Sequence, residues 1–120
     1  MSIIQWWRNR GRDRSLFPED ENGDVLWQMK KSGDNLSQKR NINFAFLFPS
    51  ERNAKSFQSK AESLGFVVDV SYFDEKSSWD VECSIDLAPT HTAISKVERE
   101  LTSLASIERG KPDGWGCMSQ

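Results

Sequence analysis

The 120-residue sequence has little of what catalytic or covalently cross-linked chains depend on. It contains one histidine, His91, and two cysteines, Cys83 and Cys117. Two cysteines are too few for a disulfide framework and too few for a zinc site, and they point to a reducing, cytoplasmic compartment. A Ser-His-Asp or Cys-His arrangement would have to use His91, and no Gly-rich elbow surrounds that residue or Cys83. A capping or surface role is therefore expected for His91. Neither a phosphate-cradling loop nor a dinucleotide fingerprint occurs. No apolar run is long enough to cross a bilayer. The N-terminus, Met1-Ser2-Ile3-Ile4-Gln5-Trp6-Trp7, lacks a leading positive stretch and a small-residue cleavage site, so no signal peptide is expected. The expectation is a non-enzyme with no cofactor, no metal and no small-molecule substrate.

A basic balance is also missing. Net charge is −2, and residues 1–16 hold Arg8, Arg10, Arg12 and Arg14 against Asp13, leaving −5 for the remainder. An acidic body does not favour nucleic acid as its main partner. The exception is the segment 1–20, read as a basic tail ahead of a domain spanning 21–120. Trp6 and Trp7 beside Arg8, Arg10, Arg12 and Arg14 suit RNA stacking or an anionic membrane surface. The plainer reading is a mobile or partly packed terminus.

What is present is a clear alternation of elements. Asn22 or Asp24 can cap a short helix whose apolar face is Val25, Leu26 and Met29, and Gly33 stops it. Residues 41–48 alternate, with Ile42, Phe44, Phe46 and Phe48 on one face of a strand. Ser50 caps a helix with Ala54, Phe57, Ala61 and Leu64 as its buried stripe, ended by Gly65. Residues 66–73 form a second strand with Phe66, Val68, Val70 and Tyr72 on one face. After a hairpin loop at 74–78, Trp79, Val81, Cys83, Ile85 and Leu87 alternate with Asp80, Glu82, Ser84 and Asp86.

The final stretch organises the rest. Thr90 is an N-cap candidate for a helix carrying Ile94, Val97, Leu101 and Leu104 at helical spacing. Gly110 ends it by tolerating positive φ, and Pro112 cannot continue it. Asp113-Gly114-Trp115-Gly116-Cys117-Met118 then reads as a last, edge-like strand, with Asp113 in the turn. The order predicts an α+β fold, a ferredoxin-like βαββαβ antiparallel sheet with an extra N-terminal helix. Right-handed crossovers put strands one and three in the centre. Cys83 and Cys117 would then lie two strand spacings, roughly 9.5 Å, apart, beyond a disulfide's reach. Two free thiols are expected, with Cys83 buried.

The sheet face away from the helices would carry Asp80, Glu82 and Asp86 on a central strand, which repels phosphate and argues against an RNA-recognition surface there. Ala45, Leu47, Val67 and Phe73 leave an apolar patch beside that acidic stripe, to be covered by the leading helix or to receive a protein. Trp115 has two readings: an indole filling the end of the core, or an exposed interface anchor.

The motifs Pro89-Thr90-His91 and Asp113-Gly114-Trp115-Gly116, with Asn22-Gly23-Asp24-Val25-Leu26, Gly33-Asp34-Asn35-Leu36 and Phe46-Leu47-Phe48-Pro49, make the chain similar to the RraB family over roughly 21–118. The resemblance implies an α+β domain of a bacterial cytoplasmic protein. It would inhibit ribonuclease E without catalysis, modulating RNA degradation by binding the enzyme or its degradosome scaffold region. Enterobacterial members carry a long acidic C-terminal tail that is not found here. If that tail grips a basic scaffold, this chain would bind through sheet or helix surfaces instead. The alternatives are an immunity-type or other protein-binding module using the acidic sheet face, and RNA binding through the N-terminal tail.

Overall fold

The structure is a computed structural model that describes residues 9–117. Its elements are α1 (Glu21–Lys31), β1 (Arg40–Phe48), α2 (Glu51–Ser63), β2 (Val67–Phe73), β3 (Ser78–Leu87), α3 (His91–Ile107) and β4 (Lys111–Cys117). A single turn of 3₁₀ helix, Asp74–Lys76, joins β2 to β3. All four strands pair antiparallel in the order β2-β3-β1-β4, so strands one and three are central, as the alternation predicts.

The phenylalanine face of β1 is the seed of the core. Ile42, Phe44, Phe46 and Phe48 are all buried, and Phe57 of α2 lies against the last two at ring separations of 5.3 and 5.0 Å. Such tilted pairs add to the gain from burying the rings themselves. Val81 and Cys83 continue this surface from β3, and Ile94, Leu101 and Ala105 close it from α3. Serine and threonine start two of the helices as the sequence suggests: Ser50 Oγ accepts from the Asn53 amide, and Thr90 Oγ1 from that of Ala93.

Several expectations are corrected. The cap of α1 is Asp20, not Asn22 or Asp24: its carboxylate accepts from the Gly23 amide at 2.7 Å. Leu64 is not part of the buried stripe of α2; it ends that helix and is 54% exposed, because the turn at Gly65 carries it away from the sheet. Tyr72 stays on the core side of β2, as expected, but at the sheet's end, where it is 49% exposed with its ring 5.1 Å from that of Trp79. The positive φ after α3 belongs to Arg109, at 61°. Gly110 has a different reason to be glycine, since a Cβ there would stand 2.4 Å from the ring of Phe48. Pro112 lies inside β4, which is tolerated because β4 is an edge strand.

The leading helix does not cover the open sheet face. It packs against α3, burying Leu26 and leaving Val25 42% exposed. The open face therefore stays lined by Asp80, Glu82 and Asp86, with Asp69 of β2 in the same row as Glu82. Among the described residues no helix is long and apolar enough to cross a membrane, and no cluster of three His, Cys, Asp or Glu could hold a metal ion.

Candidate functional site

Three motifs that are far apart in sequence meet where α1 lies over the start of α3 and the end of β4. The first contact is made by the α1 cap. The second oxygen of Asp20 lies 2.8 Å from His91 Nε2, and that nitrogen is 3.4 Å from Ser95 Oγ, one turn further along α3. The second contact is Asn22. Its amide nitrogen donates to Glu98 Oε1 at 3.0 Å and Ser95 Oγ at 3.3 Å. Its carbonyl oxygen accepts the Trp115 indole N–H at 2.9 Å. One asparagine thus uses both ends of its amide to tie α1 to a helix and a strand.

The loop before α1 is held just as closely. Gly23 faces the Pro18 carbonyl so tightly that a Cβ would lie 1.7 Å from its oxygen. Arg12 is buried beneath: Nε donates to the Phe17 carbonyl at 2.7 Å, Nη2 to that of Pro18, and the guanidinium pairs with Asp24 at 2.9 Å. Phe17 is buried too, its ring 5.4 Å from that of Trp27. The sequence reading offered Arg12 to RNA or membrane; a guanidinium enclosed by two carbonyls and a carboxylate is not presented to either. Arg14 is exposed and pairs with Glu19 at 2.8 Å, and Arg10 is exposed. Trp6, Trp7 and Arg8 lie outside the described residues.

A third tie closes the connector between α1 and β1. Arg40 Nη1 donates to both carboxylate oxygens of Asp34, at 2.8 and 2.9 Å, with both side chains 2% exposed. The same guanidinium donates to the carbonyls of Asn35 and Gln38 and reaches Cys117 at the end of β4. Burial pushes the Cys117 thiol up, partly offset by that guanidinium. Burial also pushes the Cys83 thiol up to about 12, with Glu82 adding to the effect. Both cysteines are unpaired thiols, as expected, and Cys83 is buried.

The remaining motif residues have distinct places. Pro89 is fully buried. Asp113 and Gly114 occupy a bulge in β4 opposite Ala45 rather than a turn, with Gly114 at φ 95°. Trp115 faces the core side, half-buried against it. Its outer edge lines a groove of about 290 Å³ with Glu21, Val25, Glu98, Pro112 and Gly114. On the other side of α1 a more apolar groove of about 320 Å³ runs past Phe17, Leu26, Leu36, Pro89 and His91. The acidic and aromatic lining of the first suits a cationic, partly apolar segment of another protein.

The family described as regulator of ribonuclease activity B, RraB, matches residues 19–117. The chain belongs to the RraB family. The RraB match begins one residue before the cap of α1 and ends on the last residue of β4, so it contains the whole Asp20–Asn22–His91–Trp115 network. No curated protein gives a match. The family's description assigns the chain a regulatory role toward ribonuclease activity.

Ser95 and Glu98 were not singled out from the sequence. Asp20 read there, with Glu19 and Glu21, only as a solvated carboxylate of the polar tail, which its cap and His91 contacts correct. Asp20 carried a signal, an aspartate, a favoured capping type, just ahead of the helical segment. Ser95 and Glu98 carried none, because their role depends on where Asn22 lies.

Asp20 gives a pH-dependent expectation. Its carboxyl is held below the ordinary range, chiefly by the Gly23 amide and also by His91 and Arg12. A depressed carboxyl stabilises the fold fully above its ordinary pKa, about 4, and loses that contribution as pH falls below it. Asp20→Ala should therefore cost about 1 kcal/mol at neutral pH, the usual loss for an N-cap. The deficit should shrink in urea titrations run below about pH 4.

Proposed function

We propose that this chain is a non-catalytic inhibitor of a ribonuclease E-type endoribonuclease, acting in the bacterial cytoplasm by protein–protein contact and so altering RNA decay. The observation that carries the reading is the coincidence of the RraB match with the joint built by Asp20, Asn22, His91 and Trp115. Family motifs that converge there create the Glu21–Glu98–Trp115 groove beside them. Carboxylates next to a half-buried indole favour a basic segment, such as one from the enzyme's scaffold region, over an RNA backbone.

The test is recovery of partners from native cytoplasm with the purified chain, with and without nuclease, followed by a cleavage assay. Ribonuclease E retained in both lanes, and slower cleavage in the presence of the chain, is the expected result. Glu21→Lys, at an exposed position, should weaken retention without unfolding the domain. If ribonuclease E is absent from both lanes while another protein is enriched, the fold serves a different partner. The acidic row of Asp69, Asp80, Glu82 and Asp86 would favour an immunity-type module in that case. RNA recovered alone and lost on nuclease treatment would move the activity to residues 1–20.

A further inference from the structure

The two edges of the sheet are not equally defended. β4 has Pro112, two glycines and a bulge, all features that obstruct the addition of another strand. β2 has none of these. Its sequence, Val-Val-Asp-Val-Ser-Tyr-Phe, holds one charge, no lysine and no proline. Four of the exposed large hydrophobic residues, Leu64, Val67 (74%), Tyr72 (49%) and Phe73 (36%), lie on β2 or at the turn leading into it.

The outward-facing backbone groups of β2 can be assigned. The Gln58 side chain of α2 reaches the Val68 carbonyl at 3.5 Å, so that carbonyl points away from β3. A residue's N–H and C=O point to the same side of a strand, and the side alternates. Val68, Val70 and Tyr72 therefore present donors and acceptors to the outside, while Val67, Asp69, Ser71 and Phe73 pair with β3.

We propose that β2 is a self-pairing edge, through which two copies of the chain join as a symmetric antiparallel dimer with one continuous eight-stranded sheet. The twofold axis passes through Val70. Val70 then faces Val70 of the second copy, Val68 faces Tyr72 of the second copy, and all three outward residues form hydrogen-bonded pairs. On the open face Val67 meets Phe73 of the second copy, and Asp69 meets Ser71 of the second copy. All seven residues of the strand are used and every apolar side chain finds an apolar partner.

Charge selects this register. Sliding by two residues in one direction sets Asp69 directly against Asp69 of the second copy, a like-charge pair that destabilises a sheet. Sliding the other way puts Asp69 opposite Phe73 and leaves the start of each strand unpaired. The Gln58 contact is at the limit of a hydrogen bond and yields readily to a backbone partner. This inference stands apart from the ribonuclease reading.

The test is a dilution series by sedimentation equilibrium on the full chain and two variants at Ser71, an exposed position. Ser71→Asp places two like-charge pairs across the joint and should weaken the dimer roughly tenfold. Ser71→Lys places two opposite-charge pairs there and should tighten it by a similar factor. Ser71 also lies opposite Asp80 of β3, so Ser71→Asp should lower and Ser71→Lys raise the monomer's melting slightly. The dimer constants are read at a temperature where both variants are fully folded. Opposite shifts from the two variants support the β2 joint in this register. A chain that stays monomeric at every concentration overturns it, as does a dimer that neither variant moves. Amide exchange on the same samples adds a further check. If Val70 N–H becomes protected only when a ribonuclease partner is added, the edge accepts a foreign strand and the dimer is rejected.

Discussion

Asp34→Ala is expected to lower the unfolding free energy by about 3–5 kcal/mol, the usual loss when one member of a buried ion pair is removed. One guanidinium nitrogen reaches both carboxylate oxygens, and both side chains are almost wholly out of water. Alanine leaves the Arg40 guanidinium buried without its carboxylate, while its donations to the Asn35 and Gln38 carbonyls persist. Arg40→Met should cost a comparable amount, because it removes the cation that balances the buried carboxylate. The double variant Asp34→Leu, Arg40→Met removes both charges and should recover most of the loss. Urea denaturation of the three variants checks this: the midpoints should fall for each single change and return for the double, at unchanged slope. Three equal midpoints would mean that the pair contributes only its packing.

The second large effect is expected at Gly23. In an exposed helix interior, Gly→Ala normally gains close to 1 kcal/mol. Here the sign should reverse. The new methyl group would overlap the Pro18 carbonyl, a backbone atom whose position is fixed by Arg12 and by the Asp20 amide. Relief requires residues 17–20 to lift from α1, taking with them the burial of Phe17 and the Asp20 cap. A net loss of about 2–3 kcal/mol is expected, at the upper end for overpacking. Cleavage by a protease at Arg14 should accelerate in the same variant, since the segment that follows it is no longer held down. Unchanged proteolysis would show that Pro18 moves without undocking.

The contrast between Gly23 and Asp34 shows what was legible in the sequence. Both lie in short motifs that resemble the RraB family, yet the residues around them gave no physical reason for their identity. The strands were readable because aromatic and aliphatic residues at every second position in 41–48 and 79–87 have one burial solution each. Helix α3 was readable for the same reason at a period of 3.6. The placement of α1 was not. A stripe of Val25, Leu26 and Met29 says that a helix must dock, but three residues do not say where. The deciding groups are polar: Asn22, Ser95, Glu98 and the Trp115 N–H, whose partners lie more than 70 positions away. Arg12 was misread for a related reason. An arginine among arginines looks solvated, and only the carbonyls of Phe17 and Pro18 reveal that it is enclosed.

The bond from Trp115 to Asn22 spans 93 residues, and β4 lies on β1 with Ile42 opposite Cys117. During synthesis β1, α2, β2 and β3 can assemble as they leave the ribosome, but β1 keeps a bare edge until the last strand arrives. Closing loops of that length is slow relative to hairpin formation. The phenylalanine-rich strand is therefore the part of the nascent chain most in need of chaperone cover. A stop codon before Lys111 would remove the strand that covers it, leaving an aggregation-prone remnant.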